Sequence, residues 1–198
     1  MEIYIIRHGE TIWNEQGLLQ GTADIELNSK GRELAGITGK KLENVNFDII
    51  FSSPLIRAYE TACLLRGYRN IPIEKNDFLR ELCFGENEGG KFKQLLKDKT
   101  NEFHHFFDSP ELYVPPKGGE TLESIVSRAK EFMKSKIETA SDKYERVMIV
   151  AHGAMNQAIL TYITNSEIKD YWKHGLQKNC GGSIVEYLNG KYTIMGQM

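Results

Sequence analysis

An apolar run that ends abruptly in charge is the feature that most constrains this sequence. Residues 3–6 are β-branched or aromatic, which is typical of a strand buried on both faces of a sheet. Arg7 and His8 follow at once, and Gly9 can adopt turn conformations that other residues avoid. The pattern predicts a core strand with a fixed cation and a titratable imidazole at its carboxyl end. Open α/β sheets bind their ligands at that edge.

A second apolar run with a similar ending lies near the other end of the chain. Residues 147–151 are apolar, and His152 and Gly153 follow them. Two strands that both end in His-Gly can meet at one crevice of a parallel sheet. Arg57 comes shortly after a third apolar run, residues 47–51. Arginine and histidine at such an edge suit an anionic phosphate, because a guanidinium binds phosphate oxygens through two parallel hydrogen bonds.

Strand and helix patterns alternate along the chain, and this alternation predicts an α/β fold. Strand patterns cover residues 3–6, 47–51 and 147–151, with weaker ones at 71–73 and 78–82. Helical patterns cover residues 29–42, 54–65, 121–139 and 155–163. A terminal hairpin is expected from residues 183–187 and 192–195 around Asn189 and Gly190.

Two of the expected helices carry signals for where they begin and which face they bury. Asn28 and Thr121 can each cap the helix that follows, because their side-chain oxygens accept hydrogen bonds from free backbone N–H groups. The buried face of the first helix is expected to contain Leu34, Ile37 and Leu42. The buried face of the second is expected to contain Leu122, Ile125, Val126, Ala129 and Phe132.

The pattern changes between residues 89 and 118. Residues 91–107 are charged and aromatic and predict one or two helices, and prolines follow at positions 110, 115 and 116. Such an excursion usually covers a site and shapes access to it. No repeat or linker-like stretch divides the chain. The sequence therefore predicts a single domain over residues 1–198, with a helical and loop excursion at about 89–118 over the site.

The composition limits the classes of partner. Hydrophobic residues make up 40% and charged residues 26%, which are values of a globular domain rather than a disordered one. The net charge of −2 disfavours nucleic acid or a membrane surface as the main partner, since both bind basic proteins. Neither a signal-peptide pattern nor a run of transmembrane length is found, so a cytoplasmic location is expected. Cys63, Cys83 and Cys180 are expected to be buried, reduced thiols.

Five linked segments resemble the histidine phosphatase superfamily, which includes cofactor-dependent phosphoglycerate mutases, fructose-2,6-bisphosphatases, α-ribazole phosphatases and broad-specificity acid phosphatases. The segments are Arg7-His8-Gly9-Glu10, Asn14 with Gln20-Gly21, Ser52-Ser53-Pro54-Leu55-Ile56-Arg57-Ala58, Glu81 ahead of Phe84-Gly85, and His152-Gly153. The resemblance extends over nearly the whole chain and is strongest to the small bacterial phosphatases. It implies a phosphoglycerate mutase-like three-layer α/β/α sandwich with a mostly parallel central sheet, and an enzyme without cofactor or metal.

The resemblance also implies roles for the residues at the strand ends. His8 is the expected nucleophile, because a neutral imidazole can attack phosphorus through one nitrogen while a hydrogen bond holds the other. The product of that attack would be a phosphohistidine. Arg7, Arg57 and His152 would form a cradle for the phosphate oxygens, since phosphoryl transfer asks the protein mainly for positioning and complementary charge.

A carboxylate is expected to protonate the leaving alcohol, because an alkoxide is a poor leaving group. The resemblance selects Glu81 over Glu86 and Glu88 for this role. Carboxyl groups start near a pKa of about 4.3, and a neighbouring anionic phosphate favours the protonated form. Asn87 stands where the family usually has a tryptophan, which leaves the packing of this segment open.

Further polar residues have weaker assignments. Asn14, Gln20 and Gly21 would donate hydrogen bonds to the phosphate, although ordinary turn chemistry explains these three residues as well. Glu120 either touches the site or belongs to the start of the helix that Thr121 caps. The pair at positions 104 and 105 is expected to be two solvated histidines that point in different directions, rather than metal ligands.

The leading hypothesis is a metal-independent phosphomonoesterase that acts on a small phosphorylated metabolite, as a monomer or a homodimer. A phosphoglycerate mutase is the alternative within the family, but mutases typically carry a longer insertion that excludes water. Two other classes stay open. A non-catalytic phospholigand-binding module would not need His8, Glu81 and His152 together, and a metal hydrolase could use histidines and a carboxylate as ligands.

Overall fold

The computed structural model describes residues 1–198, except for the side chain of Glu102. A six-stranded sheet runs through the described residues in the order β3-β2-β4-β1-β5-β6. The strands are β1 Glu2–Arg7, β2 Ile49–Ser52, β3 Ile73–Lys75, β4 Arg146–Ala151, β5 Gly182–Leu188 and β6 Lys191–Gln197. The first four strands pair in parallel, whereas β5 and β6 are antiparallel to their neighbours.

Helices connect the strands and cover the sheet. The α-helices are α1 Ile12–Gln16, α2 Ser29–Lys41, α3 Ile56–Arg66, α4 Phe92–Leu95, α5 His105–Asp108, α6 Leu122–Phe132 and α7 Gly153–Ile163. The expected helix 121–139 is thus α-helical only over its first part, and it continues as a π-helical turn, Met133–Ile137, and a 3-10 turn, Glu138–Ala140. Further 3-10 turns are Asp77–Leu79, Gly85–Asn87, Glu102–His104, Pro110–Leu112 and Ile168–Asp170.

Local sequence signals fix several element boundaries. The side chain of Asn28 accepts a hydrogen bond from the N–H of Gly31 at 2.7 Å, and that of Thr121 accepts one from Ser124 at 3.1 Å. Each bond satisfies a backbone donor that the first helical turn leaves free. At the terminal hairpin, Asn189 and Gly190 both have positive φ, as a tight two-residue turn requires.

Side chains alternate between the two faces of the sheet. Ile3 and Ile5 pack in the apolar core that contains α6 and α7. Tyr4 and Ile6 point to the opposite core, which contains α3. Strand β4 alternates in the same way. Helices therefore cover both faces, and the structure confirms the predicted three-layer α/β/α sandwich. The prediction of one domain with an excursion at 89–118 stays a prediction.

The predicted strand at residues 78–82 is wrong. Asp77–Leu79 forms a 3-10 turn, and the segment that follows pairs with no neighbouring strand among the described residues. The guanidinium of Arg128 donates instead to the carbonyls of Phe78 and Arg80, at 2.7 and 3.1 Å. A side chain from α6 therefore takes the carbonyls that a strand partner would have used.

The predicted buried face of α2 is only partly correct. Leu42 is buried, but 47% of Ile37 is exposed. The buried positions include Ala35 and Gly39, where a Cβ on Gly39 would come within 2.8 Å of the Leu64 carbonyl oxygen in α3. Because α2 and α3 approach so closely, small residues occupy the contact and the larger Ile37 turns outward.

Two smaller expectations also need correction. The rings of His104 and His105 contact each other, with centroids 3.8 Å apart, because the first ends a 3-10 turn and the second begins α5. The three cysteines are free, but only Cys180 is fully buried, while Cys63 and Cys83 are half-buried. Within the described residues, none of the helices combines the length and the apolar character that crossing a membrane requires.

Candidate active site

The register of the central strands brings the two histidines together. Strands β1 and β4 are parallel neighbours, with Arg7 opposite Ala151. The next residues, His8 and His152, therefore leave the sheet side by side, and their ring centroids are 5.2 Å apart. The N–H of His8 donates to the carbonyl of Ala151 at 3.0 Å, which fixes the start of the turn.

His8 has the properties of an uncharged imidazole with one free nitrogen. Its Nδ1 lies 2.7 Å from the carbonyl oxygen of Gly9, so Nδ1 carries the proton and donates it. Among the described residues, none hydrogen-bonds to Nε2. Burial lowers the pKa of His8 well below its usual value, and the positive charges of Arg57 and Arg7 lower it further. The lone pair on Nε2 is therefore available at neutral pH.

Two arginines surround this imidazole, and the backbone holds both. Arg57 donates through Nη1 to the carbonyl of Ala23 at 2.7 Å and through Nη2 to that of Gly21 at 2.8 Å. Arg7 donates through Nη1 to the carbonyl of Gln177 at 2.8 Å. Burial lowers the pKa of both guanidinium groups, that of Arg57 to about 10, so Arg57 stays charged at neutral pH. The Nε of each arginine is buried without a partner in the described part of the chain.

His152 is fully buried beside the end of β2. Its Nε2 lies 2.7 Å from the hydroxyl oxygen of Ser53, whereas its buried Nδ1 has no hydrogen-bond partner among the described groups. Burial lowers its pKa well below the usual value, followed by the charge of Arg57. Ser53 can donate to Nε2, which leaves Nδ1–H as a free donor at the site.

The carboxyl group of Glu81 lies at the amino end of α7, the helix that begins directly after His152. Its Oε1 accepts hydrogen bonds from the N–H groups of Leu82 and Met155 at 2.9 and 3.0 Å, and its Oε2 accepts one from Ala154 at 3.1 Å. Burial raises the pKa of this carboxyl group, although these backbone donors and Arg57 partly oppose the shift. The structure thus gives Glu81 an increased tendency to hold a proton.

The loop after β1 holds the remaining predicted residues. Gln20 accepts a hydrogen bond from the hydroxyl of Thr11 at 2.9 Å through Oε1, which leaves its buried Nε2 without a described partner. The side chain of Asn14 accepts from the N–H of Thr11, the residue that caps the short helix α1, at 3.2 Å. Gly21 contributes its carbonyl to Arg57. Contacts of the loop therefore already use one hydrogen-bonding group of each of these three residues. Among them, only Gln20 keeps a buried donor without a described partner.

Arg128, Asn156 and Gln177, which sequence reasoning missed, hold this site in place. Arg128 donates two hydrogen bonds of 2.8 Å to Glu120 and one of 3.4 Å to the carbonyl of Glu81. On the other side, Asn156 donates to Gln177 at 2.7 Å, the residue whose carbonyl binds Arg7. These contacts join distant parts of the chain, and no local sequence pattern predicts them.

The other two glutamates of the 81–88 segment occupy different surroundings. Glu88 accepts hydrogen bonds from the N–H groups of Thr22, Ala23 and Phe84, at 2.8, 2.9 and 3.2 Å, and so holds the loop that binds Arg57. Glu86 is exposed. Asn87 is buried and exchanges hydrogen bonds with Asn101 at 3.3 and 3.5 Å.

A cavity of about 160 Å³ opens at these strand ends. Five of the predicted residues line it: Arg7, His8, Asn14, Gln20 and Glu81. Arg57, His152 and Gly21 do not line it, and the side chains of Arg57 and His152 are fully buried. Glu86 and Glu88 do not line the cavity either. The remaining lining includes Leu18 and Leu19 after β1, aromatic side chains of the excursion, and Trp172 and Leu176.

The metal-hydrolase alternative would require a group of metal-binding side chains at this site. Among the residues that the structure describes, groups of three or more His, Cys, Asp or Glu side chains arranged to hold a metal ion are not found.

The family model described as histidine phosphatase superfamily (branch 1) matches residues 3–197. The chain belongs to this superfamily. The phosphatase PhoE of Bacillus subtilis (strain 168) is 34% identical over 165 residues, which cover 83% of this chain and 78% of that protein. The 2,3-bisphosphoglycerate-dependent phosphoglycerate mutase of Rhodopseudomonas palustris (strain BisB18) is 28% identical over 205 residues, covering 99% and 96% of the two chains.

Solved structures of the superfamily share the fold. Phosphoserine phosphatase from Entamoeba histolytica, in complex with 3-phosphoglyceric acid, superimposes with a TM-score of 0.84 at 26% identity, and the match covers 99% of this chain and 95% of that one. The family match and the phosphatase relatives confirm the prediction of a phosphatase from the histidine phosphatase superfamily.

Proposed function

We propose that this protein is a metal-independent phosphomonoesterase that acts through a phosphohistidine on His8. One observation carries the proposal: a neutral imidazole with a free Nε2 lies close to buried donors that lack hydrogen-bond partners among the described residues. These donors are Arg7 Nε, Arg57 Nε, Gln20 Nε2 and His152 Nδ1. Buried polar groups are normally hydrogen-bonded, so a set of unpaired donors beside one nucleophile fits an absent anion.

The chemistry follows from the charges of these groups. His8 Nε2 attacks phosphorus in line, and the bond from phosphorus to the ester oxygen breaks. Glu81 gives its proton to that oxygen, so the product leaves as a neutral alcohol and not as an alkoxide. Arg7, Arg57 and His152 stabilise the charge on the transferring phosphoryl oxygens.

The second step reverses the roles. A water molecule loses a proton to the Glu81 carboxylate and attacks phosphorus from the side that the alcohol has vacated. The bond from phosphorus to His8 breaks, inorganic phosphate leaves, and both groups return to their starting protonation states. Burial, which raises the pKa of Glu81, suits a carboxyl group that must hold a proton in the first step and accept one in the second.

The substrate class is a small phosphorylated metabolite, because the cavity of about 160 Å³ has room for a compact ester. The alternative function is a phosphoglycerate mutase, since several relatives carry that name. Mutases typically close the site with a longer insertion than the predicted excursion of about thirty residues, a length that loops can reach without sealing a cleft. A shorter cover leaves water able to capture the phosphoryl group, which favours hydrolysis.

The replacement Glu81→Gln tests the proposal, because glutamine keeps the shape of the side chain but cannot donate the proton. With ethyl phosphate, we expect phosphorylation of His8 to slow by about 100-fold or more. With p-nitrophenyl phosphate, the first step should slow much less, because the phenolate leaves readily. The second step still lacks its base, so a burst of p-nitrophenol should precede a slow steady state.

One control variant and three contrary outcomes define what would refute the proposal. Glu86→Gln, at an exposed position in the same segment, should retain the rates of the unaltered enzyme with both esters. Equal losses for both esters without a burst would remove Glu81 from the acid role. Loss of activity with a chelator, restored by zinc or magnesium, would favour the metal hydrolase. Interconversion of 2- and 3-phosphoglycerate with negligible hydrolysis would favour the mutase.

A further inference from the structure

Two kinds of side chain line the cavity. Its polar side chains, which we call the polar floor, are Arg7, His8, Asn14, Gln20 and Glu81. The lining also contains a set of rings that we call the aromatic wall, formed by Phe92, Phe106, Phe107 and Trp172. Leu18 and Leu176 add to the apolar surface. A substrate whose phosphate binds at the polar floor can place its alcohol part against this wall.

The rings of the aromatic wall hold one another in place. Phe107 packs against Trp172 with centroids 4.6 Å apart and against Phe92 at 5.7 Å. The indole N–H of Trp172 donates to the carbonyl of Phe106 at 2.6 Å, so its one hydrogen-bond donor is already used. The wall therefore offers a substrate apolar surface and ring faces, which stack well on another flat ring.

The charges of the residues around the cavity also favour an apolar alcohol part. Among the described residues that line it, Arg7 is the only cation, and it belongs to the phosphate end. Two further guanidinium groups do not line the cavity and already have partners: that of Arg57 donates to the carbonyls of Gly21 and Ala23, and that of Arg128 pairs with Glu120. A carboxylate on the alcohol part would lie against rings without a counter-charge. An ionised carboxylate that leaves water without a partner is strongly disfavoured.

Building on the proposed function, we propose that the aromatic wall selects phosphomonoesters whose alcohol is uncharged and carries a flat apolar group, and disfavours those whose alcohol carries a carboxylate. The preference distinguishes this chain from the phosphoserine phosphatase whose structure contains 3-phosphoglyceric acid. It concerns recognition of the alcohol and leaves the transfer chemistry on His8 unchanged.

Kinetics with four esters of unactivated primary alcohols test the preference, because their leaving groups have similar reactivity. The esters are 2-phenylethyl phosphate, ethyl phosphate, phosphoserine and 3-phosphoglycerate. We expect kcat/KM for 2-phenylethyl phosphate to exceed that for ethyl phosphate by about tenfold or more, and those for the two carboxylate esters by about 100-fold. Equal or greater kcat/KM for either carboxylate ester would overturn the proposal.

Replacements in the aromatic wall should change this ranking. The side chain of Phe107 contacts the rings of Phe92, Phe106 and Trp172 and none of the polar floor, so Phe107→Ala should lower kcat/KM for 2-phenylethyl phosphate by about tenfold and leave ethyl phosphate within about twofold. Phe107→Arg should raise the ratio of phosphoserine to 2-phenylethyl phosphate turnover by about tenfold or more, because it supplies the missing counter-charge. Tyr68→Ala, at a fully exposed tyrosine, is the matched control and should change neither ratio.

Binding to the His8→Ala variant separates recognition from catalysis. Isothermal titration should give a lower Kd for 2-phenylethyl phosphate than for phosphoserine, even though neither ester turns over. If the unaltered enzyme hydrolyses neither ester but this order of Kd holds, the proposed function fails and the selectivity stands. If hydrolysis occurs but the order is reversed or absent in both assays, the selectivity fails and the function stands.

Discussion

The polar floor and the aromatic wall of the cavity are built in different ways. The polar floor rests on strand ends and on the start of α7, and backbone groups hold two of its charged side chains: Arg7 binds one carbonyl and Glu81 binds three N–H groups. The aromatic wall comes mainly from the short helices α4 and α5, and its members hold one another mostly through ring contacts. Fixed polar geometry suits the transfer step. The residues of the aromatic wall lie on short helices in a connecting segment, so they can be replaced without disturbing that step.

The comparison teaches where each kind of change should act. Altering the polar floor should affect every ester, because every ester presents the same phosphate. Altering the aromatic wall should affect esters unequally, because only the alcohol part meets it. Altering a residue that positions the polar floor should have an effect between these two cases, because it acts on catalysis only through the side chains that it holds in place.

Arg57→Ala should have the largest effect. The variant loses a buried positive charge beside His8, and we expect kcat/KM to fall by about 1,000-fold for every ester, since a preorganised donor to the transferring group contributes on this scale. Steady-state kinetics with ethyl and 2-phenylethyl phosphate provide the check. Arg32→Ala, at an exposed arginine of α2 that pairs with Glu60, is the control and should stay within about twofold of the unaltered enzyme. A loss below tenfold, or one confined to a single ester, would show that Arg57 does not act on the phosphate that all esters share.

Arg128→Gln should have an intermediate effect that depends on the leaving group. Arg128 binds Glu120 and the carbonyl of Glu81, so the variant should misplace the general acid. We expect kcat to fall by about tenfold with ethyl phosphate and by much less with p-nitrophenyl phosphate, while KM changes little. Lys130→Gln, at an exposed position of the same helix, should change neither value. Equal losses for both esters would mean that Arg128 acts on stability and not on Glu81.

Gly31→Ala should have the smallest effect on activity, although it should lower stability. A Cβ at position 31 would collide with the backbone of Glu10, whose nitrogen would be 2.7 Å away. We expect the free energy of unfolding in urea to fall by about 1–3 kcal/mol. Gly36→Ala in the same helix meets open space and should instead raise that free energy by about 0.5–1 kcal/mol. Similar changes for both variants would show that the turn after β1 is not closely supported.

Sequence reasoning was reliable where a local pattern carries the information. The strand at 147–151 followed by His152 is such a case, because apolar runs and a following His-Gly are readable without any partner. The strand register then brings His8 beside His152, as the parallel pairing of β1 and β4 requires. The caps at Asn28 and Thr121 belong to the same class, since a cap acts within one helical turn.

The errors and omissions share a different cause. Ile37 turns outward because α3 approaches α2 closely, and residues 78–82 lose strand pairing because Arg128 binds their carbonyls. Ser53 and Gln177 support His152 and Arg7 from segments far away in the chain. Each of these outcomes depends on a tertiary contact, and local patterns contain no information about which distant side chain arrives.

Chemical trapping of the intermediate tests the central claim most directly. The enzyme is mixed with p-nitrophenyl phosphate, quenched in base within milliseconds and digested, and the phosphorylated peptide is identified by mass spectrometry. We expect an acid-labile phosphoryl group on His8, more of it in Glu81→Gln, the same labelling in the control His104→Ala, and none in His8→Ala. Steady hydrolysis without a label on His8, or with a label on another residue, would contradict the proposed mechanism.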